Sequence, residues 1–261
     1  MIFDFFKTRI IIKNEVVIVL GMHRSGTSCL TGLLQQAGLE LGDVVEEAPY
    51  NKKGNRENLD IMALNNDVLS YSHGSWDLPP VQLEWNRQHR NRRDEILSRF
   101  NNQPVWGFKD PRALLTLPFW LEGLRMAKVH YIGTFRHPLA VAKSLNSRQP
   151  DLSLEKGIGL WQKYNERLFS LYKEIPFPLV NFDLEPLVYL RAVQSALKKL
   201  SLLESENQKR LNFFDETLQH QGSFGAQELA EFSSLLEPVM PLYESLKSIF
   251  SSQMAERDPG T

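Results

Sequence analysis

The chain has 261 residues, with 30 basic and 31 acidic side chains, 42% hydrophobic residues and 23% charged ones. That composition belongs to an ordinary globular protein. The length suits one domain spanning 1–261, able to bury roughly 70–75% of the surface its unfolded chain exposes. A net charge of −1 argues against a protein built to coat nucleic acid or an anionic membrane. The single cysteine, Cys29, excludes an internal disulfide framework and suits a reducing compartment.

Residues 1–15 break their apolar pattern with Asp4, Lys7, Arg9, Lys13 and Asn14 and lack a small-residue cleavage site, so they do not read as a signal peptide or anchor. No apolar run approaches the ~18–20 residues of a membrane helix, and a cytoplasmic protein is expected. The β-branched run 16–20 reads as a strand buried on both faces. A helix over 28–37 follows, stopped by Gly38. Residues 43–55 are polar and turn-rich, 56–70 have helical periodicity, 71–80 form a loop, and a charged helix is expected over 81–100. Further strands are expected at 105–108, 129–135 and 179–182, with helices over 114–126, from Pro138 and over 154–174. The remainder reads as mainly helical, ending in a frayed tail at 253–261. Strands alternating with helices predict an α/β fold: a parallel sheet flanked by helices, with a helical insertion and a helical C-terminal part. Ligands then belong beyond the carboxyl ends of the strands, where the loops at Gly21, Lys109 and Arg136 should converge.

The first of these loops, GMHRSGTS (21–28), joins a buried strand to a helix start. Backbone amides and the positive end of a helix make a cradle there for a phosphate. Gly21 and Gly26 permit close approach, Ser25, Thr27 and Ser28 add hydroxyls, and Arg24 adds a planar cation. The nucleoside-triphosphatase loop reads GxxxxGK[ST]; Thr27 occupies its lysine position, and the charge sits earlier, at Arg24. In FRHPLAVAKS (135–144), Arg136 at a strand end and Ser144 in the second helical turn either grip a second phosphate or serve separately, Arg136 pairing with a carboxylate and Ser144 facing solvent. In WGFKDPR (106–112), Lys109 either steadies a leaving oxygen or pairs with Asp110.

Together HRSGTS, FKDPR and FRHPLAVAKS resemble the sulfotransferases that use 3′-phosphoadenosine-5′-phosphosulfate (PAPS), and more closely the bacterial sulfotransferase-family proteins carrying GMHRSGTS. The resemblance spans about 16–183 and, more weakly, the FFD segment at 213–215. It implies that Arg24, Ser25, Gly26, Thr27 and Ser28 bind the 5′-phosphosulfate. It further implies that Arg136 and Ser144 bind the 3′-phosphate, and that Lys109 assists departure of the nucleotide. The late RKG nucleotide-binding motif of the cytosolic small-molecule enzymes is absent.

The reaction so implied is in-line transfer of a sulfonyl group from PAPS to a hydroxyl, with charge on the bridging oxygen met by Arg24, Lys109 and loop amides. No metal is expected; the six histidines are scattered. The acceptor needs a general base. Glu57, at a loop-to-helix junction, is favoured over Glu46, Glu47 and His73, although an acid there also suits the first turn of a helix. Acceptor choice should reside in 43–104, where Tyr50, Tyr71, Trp76 and Trp85 offer aromatic platforms, Trp85 reading better as a core anchor. The basic run 85–93 reads as a solvated helix face more than a docking patch. The partner expected is a small-molecule, glycan or peptide acceptor, saccharides preferred, with no nucleic acid and no membrane. Two other readings compete: a kinase of the same loop family using ATP, and a catalytically silent module binding PAPS or its product.

Overall fold

A computed structural model describes residues 14–47, 54–200 and 224–255. The chain runs β1 (Glu15–Leu20), α1 (Thr27–Gln36), α2 (Leu59–Tyr71), α3 (Arg87–Ser98), β2 (Val105–Lys109), α4 (Ala113–Gly123), β3 (Lys128–Phe135), α5 (Pro138–Arg148), α6 (Leu154–Glu174), β4 (Leu179–Asn181) and α7 (Pro186–Leu200). It closes with α8 (Ala226–Glu231), α9 (Ser233–Leu236) and α10 (Met240–Ala255). The expected α/β architecture is what forms: a parallel sheet in the order β2-β1-β3-β4, flanked by helices.

That order positions the site. The chain leaves β1 for β2 on one side and returns to β3 on the other, and such a reversal opens a crevice beyond the strand ends. Val19 stands opposite Lys109 and Leu20 opposite Gly133, so the loops after β1, β2 and β3 leave the sheet together. Apolar residues on both faces hold the platform: Val16 to Leu20 of β1 and Trp106 and Phe108 of β2 are all buried. Phe100 stacks on Trp106 with ring centroids 4.0 Å apart.

Capping residues moved several helix starts from where periodicity puts them. Asn58 accepts from the amides of Asp60 and Ile61, so α2 begins at Leu59 rather than 56, and Glu57 stands just outside it. Asn86 and His89 form a reciprocal capping box, so α3 starts at Arg87 and residues 81–86 stay extended or bent. Trp85 packs edge-on against Phe119 and donates to Glu122, an anchor as expected. The basic run is more consumed than a solvated face: Arg93 is buried, bonding the Phe119 carbonyl and Glu122, while Arg92 pairs with Asp67.

The tail is the clearest correction. Gln253 to Ala255 belong to α10, and Gln253 is a buried strut instead of a frayed residue; residues 256–261 lie outside the described residues. Its Oε1 accepts from the Leu179 amide at 3.0 Å, and its Nε2 donates to the Phe177 carbonyl at 2.8 Å. Gln253→Leu leaves both backbone groups buried and unpaired, and is expected to cost at least about 2 kcal/mol, read as a lowered unfolding midpoint in denaturant. Tyr50 and the FFD segment at 213–215 also lie outside the described residues.

Candidate active site

The glycine loop is held down from beneath by β3. Thr134 Oγ1 donates to the Ser25 carbonyl at 2.9 Å, and Arg136 Nη1 donates to the Arg24 carbonyl at 3.3 Å. Tying loop carbonyls to the sheet commits the remaining backbone polarity to the other side. Gly26, at φ 83°, has the Phe182 ring where a Cβ would stand, 2.2 Å away; at Gly21 the Thr134 carbonyl would lie 2.7 Å from a Cβ. Both positions require glycine. Arg24 itself lies in the left-handed region at φ 66°, a conformation costing a non-glycine residue of order 1–3 kcal/mol and tolerated where surroundings enforce it. Helix α1 starts without a capping side chain, leaving its positive end to face the cleft.

That cleft, of ≈ 380 Å³, is lined by Arg24, Thr27 and Ser28 of the loop and α1, by Lys109 and Arg112 at the end of β2 and the turn after it, and by Arg148 of α5. Its size is within the range of small-molecule sites. Trp76 closes it from the 43–104 segment, its ring 4.7 Å from that of His23.

Lys109 is the centre of the hydrogen-bonding. Only 2% exposed, its Nζ donates to Glu57 Oε1 at 2.8 Å and to Ser28 Oγ at 3.2 Å. Asp110 binds Arg112, 2.9 Å away, and Lys109 pairs with Glu57, so of the two alternatives for Lys109 the pair with Asp110 does not form. Arg112 also reaches within 4.0 Å of Glu57 Oε2. Glu57, 8% exposed, is fixed by its backbone: Val45 donates to its carbonyl and Arg56 to that of Val45. Of its rivals, Glu46 is exposed and paired with Arg56, and neither it, Glu47 nor His73 reaches the cleft wall.

The other expected residues divide. Ser25 and Gly26 lie under the loop; Ser25 Oγ is buried with no partner among the described residues. Ser144 accepts from Arg24 Nε at 2.8 Å and so faces the loop rather than solvent. Arg136 is 5% exposed and off the cleft wall, its Nε 3.5 Å from Asp183 Oδ1 and its guanidinium over the Phe182 ring. Sequence reasoning missed His23, Arg112 and Arg148. Arg148 is one helical turn beyond Ser144, and that i, i+4 spacing on one face was a usable signal.

Electrostatics match an anion site. Burial, then Arg112, Lys109, Arg148 and Arg24, hold the His23 ring well below the ordinary imidazole range; its Nε2 is buried with no partner among the described residues. Burial followed by Arg148 and Arg136 depresses the Arg24 guanidinium. Behind the loop, burial lowers His137 to about 4, its Nδ1 accepting from the Leu139 amide. Between pH 6.5 and about 4 the unfolded chain therefore takes up a proton that native His137 refuses, so stability is lost as pH falls through that window. Asp183, raised by burial, acts in the opposite sense. A thermal melt series over those pH values should show the fall, and His137→Asn, which keeps a capping acceptor, should flatten it.

No family model and no curated relative match this chain. Among solved structures, it is similar to the sulfotransferase domain from the Synechococcus PCC 7002 olefin synthase. The identity is 17%, over 87% of this chain and 96% of that one, with a TM-score of 0.46. It is also similar to the sulfotransferase domain from the curacin biosynthetic pathway, at 17% identity over 83% of this chain and 80% of that one, TM-score 0.40.

Proposed function

We propose that the chain is a PAPS-dependent sulfotransferase that moves a sulfonyl group to an acceptor hydroxyl and releases adenosine 3′,5′-bisphosphate. The observation that carries this reading is the Glu57–Lys109–Ser28 chain: one buried ammonium joins a carboxylate to the hydroxyl of a phosphate-type loop. In the reaction, the acceptor oxygen forms a bond to sulfur as the bond from sulfur to the bridging phosphate oxygen breaks. The electron pair stays on that oxygen, where Lys109, Arg24 and the α1 amides meet the developing charge. Glu57 takes the acceptor proton. Thr27 and Ser28 cradle the 5′-phosphosulfate from the cleft side, with Ser25 and Gly26 shaping the loop beneath.

The 43–104 segment selects the acceptor through its cleft-facing members Asn55, Glu57, Met62 and Trp76. An indole face beside the reaction centre favours a saccharide or aromatic alcohol over a flexible aliphatic one. Among the described residues, no three His, Cys, Asp or Glu side chains are grouped to hold a metal, and the reading requires none. The described helices include none long and apolar enough to cross a membrane. A cytoplasmic location is part of the proposal on separate grounds, the single cysteine of the sequence suiting a reducing compartment.

Thermal shift separates the readings cheaply, since a ligand stabilises by RT ln(1 + [L]/Kd). Adenosine 3′,5′-bisphosphate should raise the melting temperature more than ATP with Mg²⁺ at equal concentration; the reverse order would establish the kinase reading. Transfer of labelled sulfate from PAPS to a panel of glycans, phenols and peptides then distinguishes an enzyme from a silent binding module.

A further inference from the structure

Resting on the sulfotransferase reading, we infer that Asp110 is a positioning residue for the base: it holds the Arg112 guanidinium off Glu57, so that one carboxylate oxygen stays open to the acceptor. Glu57 meets its two cations unequally. Lys109 Nζ bonds Oε1 at 2.8 Å, whereas Arg112 Nη1 stands 4.0 Å from Oε2, beyond hydrogen-bond distance. The turn after β2 keeps Arg112 there. Asp110 Oδ1 accepts from the Arg112 amide at 2.8 Å and from its Nη1 at 2.9 Å, and the Asp110 carbonyl accepts from the amide of Ala113, which begins α4. The same Nη1 thus stands between two carboxylates and, of these two, bonds the one on its own turn.

Asp110 does this from outside the cleft. It is 1% exposed, while its neighbours Lys109, Pro111 and Arg112 line the cavity, so it acts through Arg112 rather than on a ligand. Arg112 Nε is buried with no partner among the described residues. A buried guanidinium so sparsely bonded depends on its carboxylate, and one deprived of it turns to the next within reach. Here that is Glu57, and a shift of roughly 1 Å in Nη1 brings Oε2 to an ordinary bond length. Lys109 alone fixes the aim of the carboxylate and leaves Oε2 for the acceptor proton. A second cation on Oε2 takes that oxygen and favours the ionised carboxyl over the protonated one, which weakens Glu57 as the group that receives the proton.

Asp110→Asn tests this, because the amide keeps an acceptor for the Arg112 N–H and removes the charge that holds the guanidinium. With PAPS and whichever panel acceptor the native enzyme sulfates, kcat should fall about ten- to a hundredfold. The Kd for adenosine 3′,5′-bisphosphate and the KM for that acceptor should each stay within about threefold of native. Removing the displaced cation as well, in Asp110→Asn/Arg112→Gln, should recover at least about half of the loss on a logarithmic scale, which a merely structural defect would not do. Asp110→Glu, which keeps a carboxylate within reach of the guanidinium, should exceed Asp110→Asn in kcat. If Asp110→Asn keeps kcat within about twofold, or loses nucleotide affinity and melting temperature in step with kcat, the inference is wrong and the sulfotransferase reading survives. A double variant no faster than the single one overturns it equally. A native protein that transfers no sulfonyl group from PAPS to any panel acceptor would overturn both.

Discussion

Replacing Lys109 by Ala is expected to lower kcat for sulfonyl transfer about a hundred- to thousandfold, while the Kd for adenosine 3′,5′-bisphosphate rises less than about tenfold. The asymmetry follows from where the ammonium stands. In the resting site Lys109 bonds Glu57 and Ser28, and the nucleotide's phosphates have Arg24 and the α1 amides besides. Charge on the bridging oxygen appears only as the bond to sulfur breaks, so a cation aimed at that oxygen contributes mostly to the transition state. Structural damage is separable from this. Removing Lys109 strands the buried Glu57 carboxylate, a loss of about 3–5 kcal/mol for a broken buried pair, reduced here because Arg112 stands 4.0 Å from Glu57 Oε2. Lys109→Met, which keeps the stem, should match the Ala variant in kcat and exceed it in melting temperature. A variant that loses nucleotide affinity in proportion to kcat would make Lys109 a binding residue only.

The sheet and its three rim loops were legible because their signals are local. A β-branched run at 16–20, a glycine loop and a helix start determine β1 and the cradle without reference to the rest of the chain. The 154–174 amphipathic pattern matches α6 residue for residue for the same reason. What escaped depends on partners distant in sequence. Arg136 points inward because Asp183, 47 positions later, is packed beside it; nothing in 135–144 records that. Gln253 reads as a polar tail residue until Phe177 and Leu179 are seen to need its carboxamide. Arg112 and Arg148 are ordinary-looking arginines in turn-rich or helical stretches, and only the convergence of β2 and α5 on one crevice gives them a common neighbour. Helix starts were misplaced where a cap decided them: the Asn86–His89 box outweighs the polar, helix-compatible stretch before it.

Glu57→Gln tests the other half of the chemistry, and it is expected to cut kcat by about a hundred- to ten-thousandfold with the nucleotide Kd nearly unchanged. The substitution keeps the shape and keeps an oxygen that accepts from Lys109, so the 2.8 Å contact persists and the fold is spared. What disappears is a carboxylate able to take a proton from the attacking hydroxyl. Its position matters as much as its type. Asn58 ends the extended segment and starts α2, and the Val45 and Arg56 backbone bonds hold residue 57 against the cleft, so the carboxylate is aimed before any acceptor arrives. Glu57→Asp, shorter by one methylene, should recover little of the lost rate if reach is decisive. Glu46→Gln is the matched control: Glu46 is exposed, paired with Arg56 and off the cleft wall, and its loss should leave kcat within about twofold. Should Glu57→Gln retain nearly full single-turnover transfer with PAPS prebound, the proton goes elsewhere. His23, a residue of the same cleft whose ring stands 4.7 Å from that of Trp76, then becomes the group to replace.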